Sequence, residues 1–160
     1  MGLPRFFQLE RIGGRRRLAV EGGVALGICA YLGPGEGAVD LLEPEGAVVA
    51  RIRGGTMAVR TFQAAMAGGE RIRVFGGPLV VAVESDRRAR TEVSAAEEAD
   101  GWRCLTWRRD GWIAGVLRHK PRDGTAPWSL DVPDGEEPMR ALAVLHAVER
   151  LLREEEKASG

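Results

Sequence analysis

The sequence has no asparagine, only two lysines, two cysteines and two histidines in 160 residues. Without asparagine it has no N-glycosylation site, and two cysteines cannot build a disulfide scaffold. No apolar run approaches the roughly 18 residues of a transmembrane helix. The N-terminus also lacks the apolar stretch of a secretory signal. We therefore expect a soluble cytoplasmic domain with no transmembrane segment.

Charge of one sign does not dominate either. The 23 basic residues are balanced by 23 acidic ones, whereas a dedicated nucleic-acid binder is normally basic. We expect no nucleic-acid partner. Because 21 of the basic residues are arginines, whose planar guanidinium suits phosphate and carboxylate, an anionic partner is one interpretation. Codon bias in a GC-rich genome explains the same excess.

Enzyme and metal motifs are missing from the sequence. We find no G-x-S-x-G, no G-x-x-x-x-G-K-[ST] and no H-E-x-x-H. The glycine-rich run at 33–37 reads as a turn, since no lysine follows it. Cys29 and Cys104 form no C-x-x-C pair and are expected to be buried reduced thiols. The sequence therefore predicts a protein that is not an enzyme and uses no cofactor.

Glycine and proline punctuate the chain at intervals of about ten residues, which is the rhythm of a sheet of hairpins. Between them, apolar and charged residues alternate, as at Ile72 and Val74 between arginines. Such alternation puts apolar side chains on one face of a sheet. About twelve strands are predicted, near 6–11, 15–21, 24–32, 37–42, 47–53, 57–64, 70–75, 78–84, 88–94, 102–108, 112–119 and 128–132.

The last part of the chain predicts a helix at about 136–153, followed by a charged tail at 154–160. Asp134 and Glu137 have the spacing of a capping box, and Pro138 suits the first turn. Between Met139 and Val148 the helix is apolar nearly all round, so protein must surround it. We therefore predict one domain, 1–160, of mainly β class: a closed barrel of about twelve antiparallel strands around a central hydrophobic C-terminal helix.

Two segments near the C-terminus carry a family resemblance. The strand Trp112–Lys120 and the segment Trp128–Glu137, followed by the apolar helix Met139–Leu152, are similar to the LURP-one-related family, and Glu45–Ile52 resembles an earlier hairpin of that family. The resemblance implies the tubby C-terminal-like fold, which phospholipid scramblases share. The scramblases' cysteine-rich cluster and the tubby domains' lysine/arginine pair have no counterpart here. The resemblance therefore implies a fold and not a specific ligand.

A helix inside the barrel would fill the lumen, so we expect any ligand to bind on the outside or at a rim. Basic clusters lie at four turns or strand ends, 15–17, 87–90, 108–109 and 118–122. Clusters that meet at one rim would form a patch for anionic lipid headgroups. We predict contact with an anionic lipid or a protein partner at Arg15, Arg16, Arg17, Arg118 and Lys120. The alternative is a solvated surface offset by nearby acids.

Three further interpretations stay open. The chain could be an interaction scaffold or a stress-related protein with no lipid role. It could carry a hydrophobic small molecule, which requires the last helix to lie outside the barrel. The acidic residues Asp131, Asp134, Glu136 and Glu137 could bind Ca²⁺ or simply cap the helix. His146, on the apolar helix, is expected to be a core residue.

Overall fold

A computed structural model describes residues 5–12, 16–21, 24–31, 39–42, 47–54, 61–123, 128–133 and 135–159, with side chains for 40–41, 47–54, 61–123, 128–133 and 135–156. The elements are β1 (Arg5–Ile12), β2 (Arg16–Glu21), β3 (Val24–Tyr31), β4 (Val39–Leu42), β5 (Val48–Gly54), β6 (Thr61–Met66), β7 (Arg71–Gly76), β8 (Val80–Ser85), β9 (Thr91–Glu97), β10 (Arg103–Arg109), β11 (Trp112–His119), β12 (Trp128–Val132) and α1 (Pro138–Ser159). A 3₁₀ turn, Ala99–Gly101, precedes β10. The predicted mainly β fold with one C-terminal helix is confirmed.

Every strand pairs antiparallel with its neighbours in the chain, and β1 pairs with both β2 and β12. The hydrogen-bonded strand order is therefore circular, which is the order of a closed barrel. Antiparallel connections alternate between two ends of the sheet. The helix-N end holds the turns 67–70, 86–90 and 110–111 and the start of α1. The helix-C end holds the turns 77–79, 98–102 and 120–123 and the last turns of α1.

The predicted alternation of apolar and charged residues shows which face of each strand packs into the core. On β7, Ile72 and Val74 are buried while Arg71 and Arg73 are exposed. Helix α1 is buried on all its faces from Pro138 to Glu149, and it packs against β5, β6, β7, β11 and β12. Its apolar composition thus corresponds to a helix enclosed by protein, as the sequence predicts.

A glycine sets how closely the helix approaches β11. A Cβ at Gly115 would lie 3.4 Å from Leu145 Cδ1 and 3.7 Å from Ala141 Cβ. Both of these side chains are buried in α1. A Cβ would thus just touch the helix, and a side chain longer than that of alanine would push the helix away from the strand.

The ends of the helix differ from the prediction. Glu137 occupies the cap position: its Oε1 accepts a hydrogen bond from Met139 N–H at 3.3 Å, and its backbone oxygen accepts one from Ala141 N–H at 3.0 Å. Asp134, the other half of the predicted capping box, lies outside the described residues. The helix also continues to Ser159 rather than ending at 153. Glutamates are good helix formers, and Glu156 gains an ion pair with Arg103.

Two strands differ from their predicted bounds. β6 ends at Met66, two residues beyond the predicted end at 64, and the first part of the prediction, 57–60, lies outside the described residues. β9 begins three residues later than expected and reaches Glu97, three residues beyond the predicted end at 94. The 3₁₀ turn at 99–101 follows it.

Candidate functional site

A buried ion pair fixes the start of α1 to the sheet at the helix-N end. Arg140 donates from Nε and Nη2 to the two carboxylate oxygens of Glu70, at 2.9 and 2.8 Å. Ser85 Oγ donates to Glu70 Oε2 at 2.6 Å, and Arg88 Nε lies 4.0 Å from the same oxygen. The hydrogen bond from Arg140 lowers the pKa of Glu70 to about 2, although burial alone would raise it. Sequence reasoning missed this pair, which joins positions 70 residues apart.

The hairpin between β10 and β11 presents apolar side chains at the same end. Its turn is formed by Asp110 and Gly111, both with positive φ (51° and 81°). Such angles match the twist of a tight hairpin. Beyond the turn, Trp112 is 69% exposed and Ile113 is 47% exposed. Large apolar side chains this exposed are informative, because most side chains of this kind are buried.

Arginines surround this hairpin. Arg109 and Arg108 lie opposite Trp112 and Ile113 in the strand pairing. Arg109 donates to both carboxylate oxygens of Glu136, at 2.6 and 3.3 Å, whereas Arg108 is exposed. These contacts fix the hairpin against the segment that leads into α1.

The turn 86–90 adds further cations at the helix-N end. Arg87 Nη1 donates to the backbone oxygen of Gly68 at 3.0 Å, and the guanidinium of Arg90 lies 5.2 Å from the centre of the Phe75 ring. The turn follows β8 and the hairpin tip follows β10, so they lie about 10 Å apart along the sheet. The predicted basic clusters at 87–90 and 108–109 therefore share one end.

The predicted contact residues belong to the other end, the helix-C end. Arg118 forms ion pairs with Glu98 at 3.3 Å and Asp131 at 3.4 Å. Lys120 Nζ lies 5.2 Å above the Trp102 ring. Both side chains are thus already engaged by neighbours.

The arginines predicted near the N-terminus are described only in part. Arg16 and Arg17 begin β2 opposite Ile12 and Arg11, which puts their backbone at the helix-C end. Their side chains and all of Arg15 lie outside the described residues. Topology therefore divides the four basic clusters between the two ends, rather than gathering them at one rim.

A cleft of about 730 Å³ opens at the helix-C end. Arg103, only 12% exposed, lies at its edge between Glu97, at 2.9 Å, and Glu156. Burial would lower the pKa of Arg103, but its hydrogen bonds to Glu156 and Glu97 outweigh that effect and raise it. The charged lining comprises Glu97, Asp100, Asp123 and Glu156 against Arg103, Lys120 and Arg122. The cleft therefore has mixed charge with an acidic excess.

Three of the four proposed Ca²⁺ ligands are engaged elsewhere, and the fourth, Asp134, lies outside the described residues. Asp131 pairs with Arg118, Glu136 pairs with Arg109, and Glu137 caps α1. In the part of the chain that the structure describes, no three or more His, Cys, Asp or Glu side chains come together as a metal site.

The described cysteine and histidine side chains pack against neighbouring residues of the fold. Cys104 is half-buried, with its Sγ 3.7 Å from Thr106 Oγ1, and the side chain of Cys29 lies outside the described residues. His119 and His146 are buried and flank Trp128, with ring centres 4.7 and 5.5 Å from it. His146 is therefore a core residue, as expected.

Comparisons with known proteins give a fold and no function. No family model matches the chain, and no curated protein matches it. The X-ray structure of a protein from Arabidopsis thaliana superposes with a TM-score of 0.61 at 14% identity, covering 97% of this chain and 93% of that one. Within the described residues, no helix has the length and apolar character needed to cross a membrane. The likeness shows that the two chains share a fold over nearly their whole length.

Proposed function

We propose that the chain is a non-enzymatic domain of the LURP-one-related, tubby C-terminal-like type that binds the surface of an anionic membrane. The exposed Trp112–Ile113 hairpin beside arginines carries this proposal. Tryptophan has an apolar body and a polar N–H, and with nearby cations it suits the headgroup zone of a bilayer. The fold places these residues together at the helix-N end.

The buried helix supports binding from the outside. A barrel that carries a ligand needs an open lumen, whereas α1 is enclosed by protein from Pro138 to Glu149. The carrier alternative would need this helix to lie outside the strands. A contact through the surface of one end requires no such rearrangement.

The charges favour the helix-N end, rather than the predicted contact residues at the helix-C end, as the surface that contacts the membrane. Arg118 is offset by Glu98 and Asp131, and acids exceed bases around Lys120 in the cleft. At the helix-N end, Arg87, Arg90 and Arg108 are exposed, and they outnumber Asp86 and Asp110, the exposed acids of the same two turns. Each cation near an anionic membrane contributes about 1 kcal/mol of attraction.

Trp112 should dominate the apolar part of binding. A tryptophan buries about 150–250 Å² when enclosed, and Trp112 is 69% exposed. Insertion of about half of that exposed area, about 80 Å², stabilises the bound state by about 2 kcal/mol. Trp112→Ala should therefore weaken binding about thirtyfold.

The test is co-sedimentation with vesicles of phosphatidylcholine alone or mixed with phosphatidylserine. Wild type should bind only the mixed vesicles, and added salt should weaken that binding. Trp112→Ala and Arg108→Gln should reduce it. Leu79→Ala and Arg122→Gln are matched controls, because they change an exposed leucine and an exposed arginine at the helix-C end.

Two results would contradict the proposal. Loss of binding in the controls, with Trp112→Ala unaffected, would move the contact to the helix-C end and the predicted Arg118 and Lys120. Absence of vesicle binding under every condition would favour the protein-interaction alternative.

A further inference from the structure

We infer that the helix-C end carries a second site, a groove that binds a cationic amphipathic peptide segment of a partner protein. This inference does not depend on membrane binding, since it concerns the opposite end of the sheet. It combines two adjoining pockets with different chemistry.

The two pockets form one groove. The charged cleft of about 730 Å³ adjoins a pocket of about 380 Å³, and Glu97, Arg103 and Glu156 line both. The second pocket is walled by apolar side chains from three elements of the fold: Pro78, Leu79, Ala95, Ala96 and Leu152. A segment lying along the groove would therefore meet apolar and charged surface in succession.

The charge of the groove selects a cation. Arg103 is nearly buried and shares its single charge between two carboxylates. Those carboxylates remain open to solvent, with Glu97 64% and Glu156 50% exposed. A carboxylate has lone pairs for more than one donor, so each can accept a second guanidinium or ammonium. Asp100, exposed on the wall, adds a further negative charge.

The apolar wall of the second pocket favours an apolar side chain next to that cation in the bound segment. Leu79 is 70% exposed, yet its backbone is held because its carbonyl oxygen accepts a hydrogen bond from Ala95 N–H at 2.8 Å. Binding at Leu79 therefore has to order only its side chain and not the backbone that carries it. Leu152, at the floor of the pocket, is buried in α1. The chemistry fits a segment in which arginine or lysine alternates with leucine.

An anionic membrane does not fit this groove. The two pockets together are lined by five acids, which are Glu97, Asp100, Asp123, Glu155 and Glu156, and by three bases, Arg103, Lys120 and Arg122. Charge of this sign repels phosphatidylserine and attracts basic peptides. The two ends would thus engage different partners.

The test is fluorescence anisotropy of labelled peptides added to the full chain. Three peptides of equal length separate the contribution of the charge from that of the apolar side chains. They consist of alternating Arg and Leu, alternating Arg and Ser, and alternating Glu and Leu. We expect the Arg–Leu peptide to bind saturably. The affinity of the other two peptides should be at least about tenfold lower, because one lacks the apolar side chains and the other lacks the cations.

Variants locate the site. Leu79→Ser should weaken the Arg–Leu peptide about tenfold, whereas Ile113→Ser, at the other end, should leave it unchanged. Asp100→Asn should weaken it severalfold without touching the Arg103 ion pairs, and Asn tolerates the positive φ of that position. Glu92→Gln, an exposed acid outside the groove, is the charge control.

Two results would overturn the inference. The first is Arg–Leu binding that is absent, equal to Arg–Ser binding, or insensitive to both groove variants. The second is self-association that Leu79→Ser abolishes in analytical ultracentrifugation, which would make a second copy of this chain the occupant. Vesicle binding in the separate assay affects neither outcome.

Discussion

The buried pair of Glu70 and Arg140 makes acid stability a sharp test of the fold. Glu70 has a pKa of about 2 in the folded chain, against an ordinary value of 4.5. A pKa lowered by folding means that the unfolded state binds the proton more tightly. The stabilisation is therefore complete above pH 4.5 and is lost as the pH falls toward 2. The difference corresponds to about 3 kcal/mol of unfolding free energy.

Removing one partner should cost at least as much. Glu70→Gln keeps the shape but leaves the Arg140 cation buried without its counter-charge, and breaking a buried pair in this way costs about 3–5 kcal/mol. Arg140 Nη1 already has no hydrogen-bond partner among the described residues. The cation–π contact of Arg140 with the ring of Trp107, 5.4 Å away, is too weak to replace the ion pair, because such a contact contributes only about 1–2 kcal/mol.

The assay is urea unfolding followed by tryptophan fluorescence between pH 2.5 and 7. Glu70→Gln should lower the free energy of unfolding at pH 7 and flatten its decline below pH 4.5. Glu84→Gln is the control, since its ion pair with Arg73 is exposed and contributes less than about 1 kcal/mol. Equal small losses for both variants, or an unchanged acid slope in Glu70→Gln, would refute this reasoning.

Three further predictions concern the helix and the strands around it. Leu145→Ala, at a fully buried position, should lower the free energy of unfolding by about 2–5 kcal/mol, and a change as small as that of Leu79→Ala would contradict the enclosed position. Gly115→Leu should destabilise by about 3 kcal/mol or more because the new side chain collides with Leu145; thermal melting checks this, and an unchanged melting temperature would mean that β11 and α1 are not in contact. Truncation after Val132 should abolish cooperative unfolding, since α1 supplies much of the core; a soluble truncated chain with a sharp melting transition would show that the strands need no helix.

The sequence predicts the strands well because their signals are local. Alternation on β7 and the Asp110–Gly111 turn depend on residues that are neighbours in the chain. The enclosed helix is equally easy to predict from the sequence, because the segment between Met139 and Val148 has no polar face that could lie against solvent. The predicted end of β6 is two residues short, because the alanine and methionine that complete the strand have no strong strand preference.

The candidate sites were less predictable, because exposure and pairing depend on the whole fold. Trp112 and Leu79 lie in the predicted strands 112–119 and 78–84, and nothing in the sequence marks them as exposed, yet the structure places them at opposite ends and exposes both. Glu70 follows two glycines and resembles a surface charge, although its partner is 70 residues away. Arg118 looks available for an anion until the fold brings Glu98 and Asp131 beside it.

Depth-dependent quenching tests the central claim most directly. Wild type and Trp112→Phe are mixed with vesicles of phosphatidylcholine and phosphatidylserine whose acyl chains carry bromine, which quenches a nearby indole. We expect quenching of wild-type fluorescence that salt reverses and that Trp112→Phe largely removes, because Trp107 and Trp128 are buried and Trp102 lies at the helix-C end. Absence of quenching in wild type, or equal quenching in the two proteins, would contradict a membrane contact at the helix-N end.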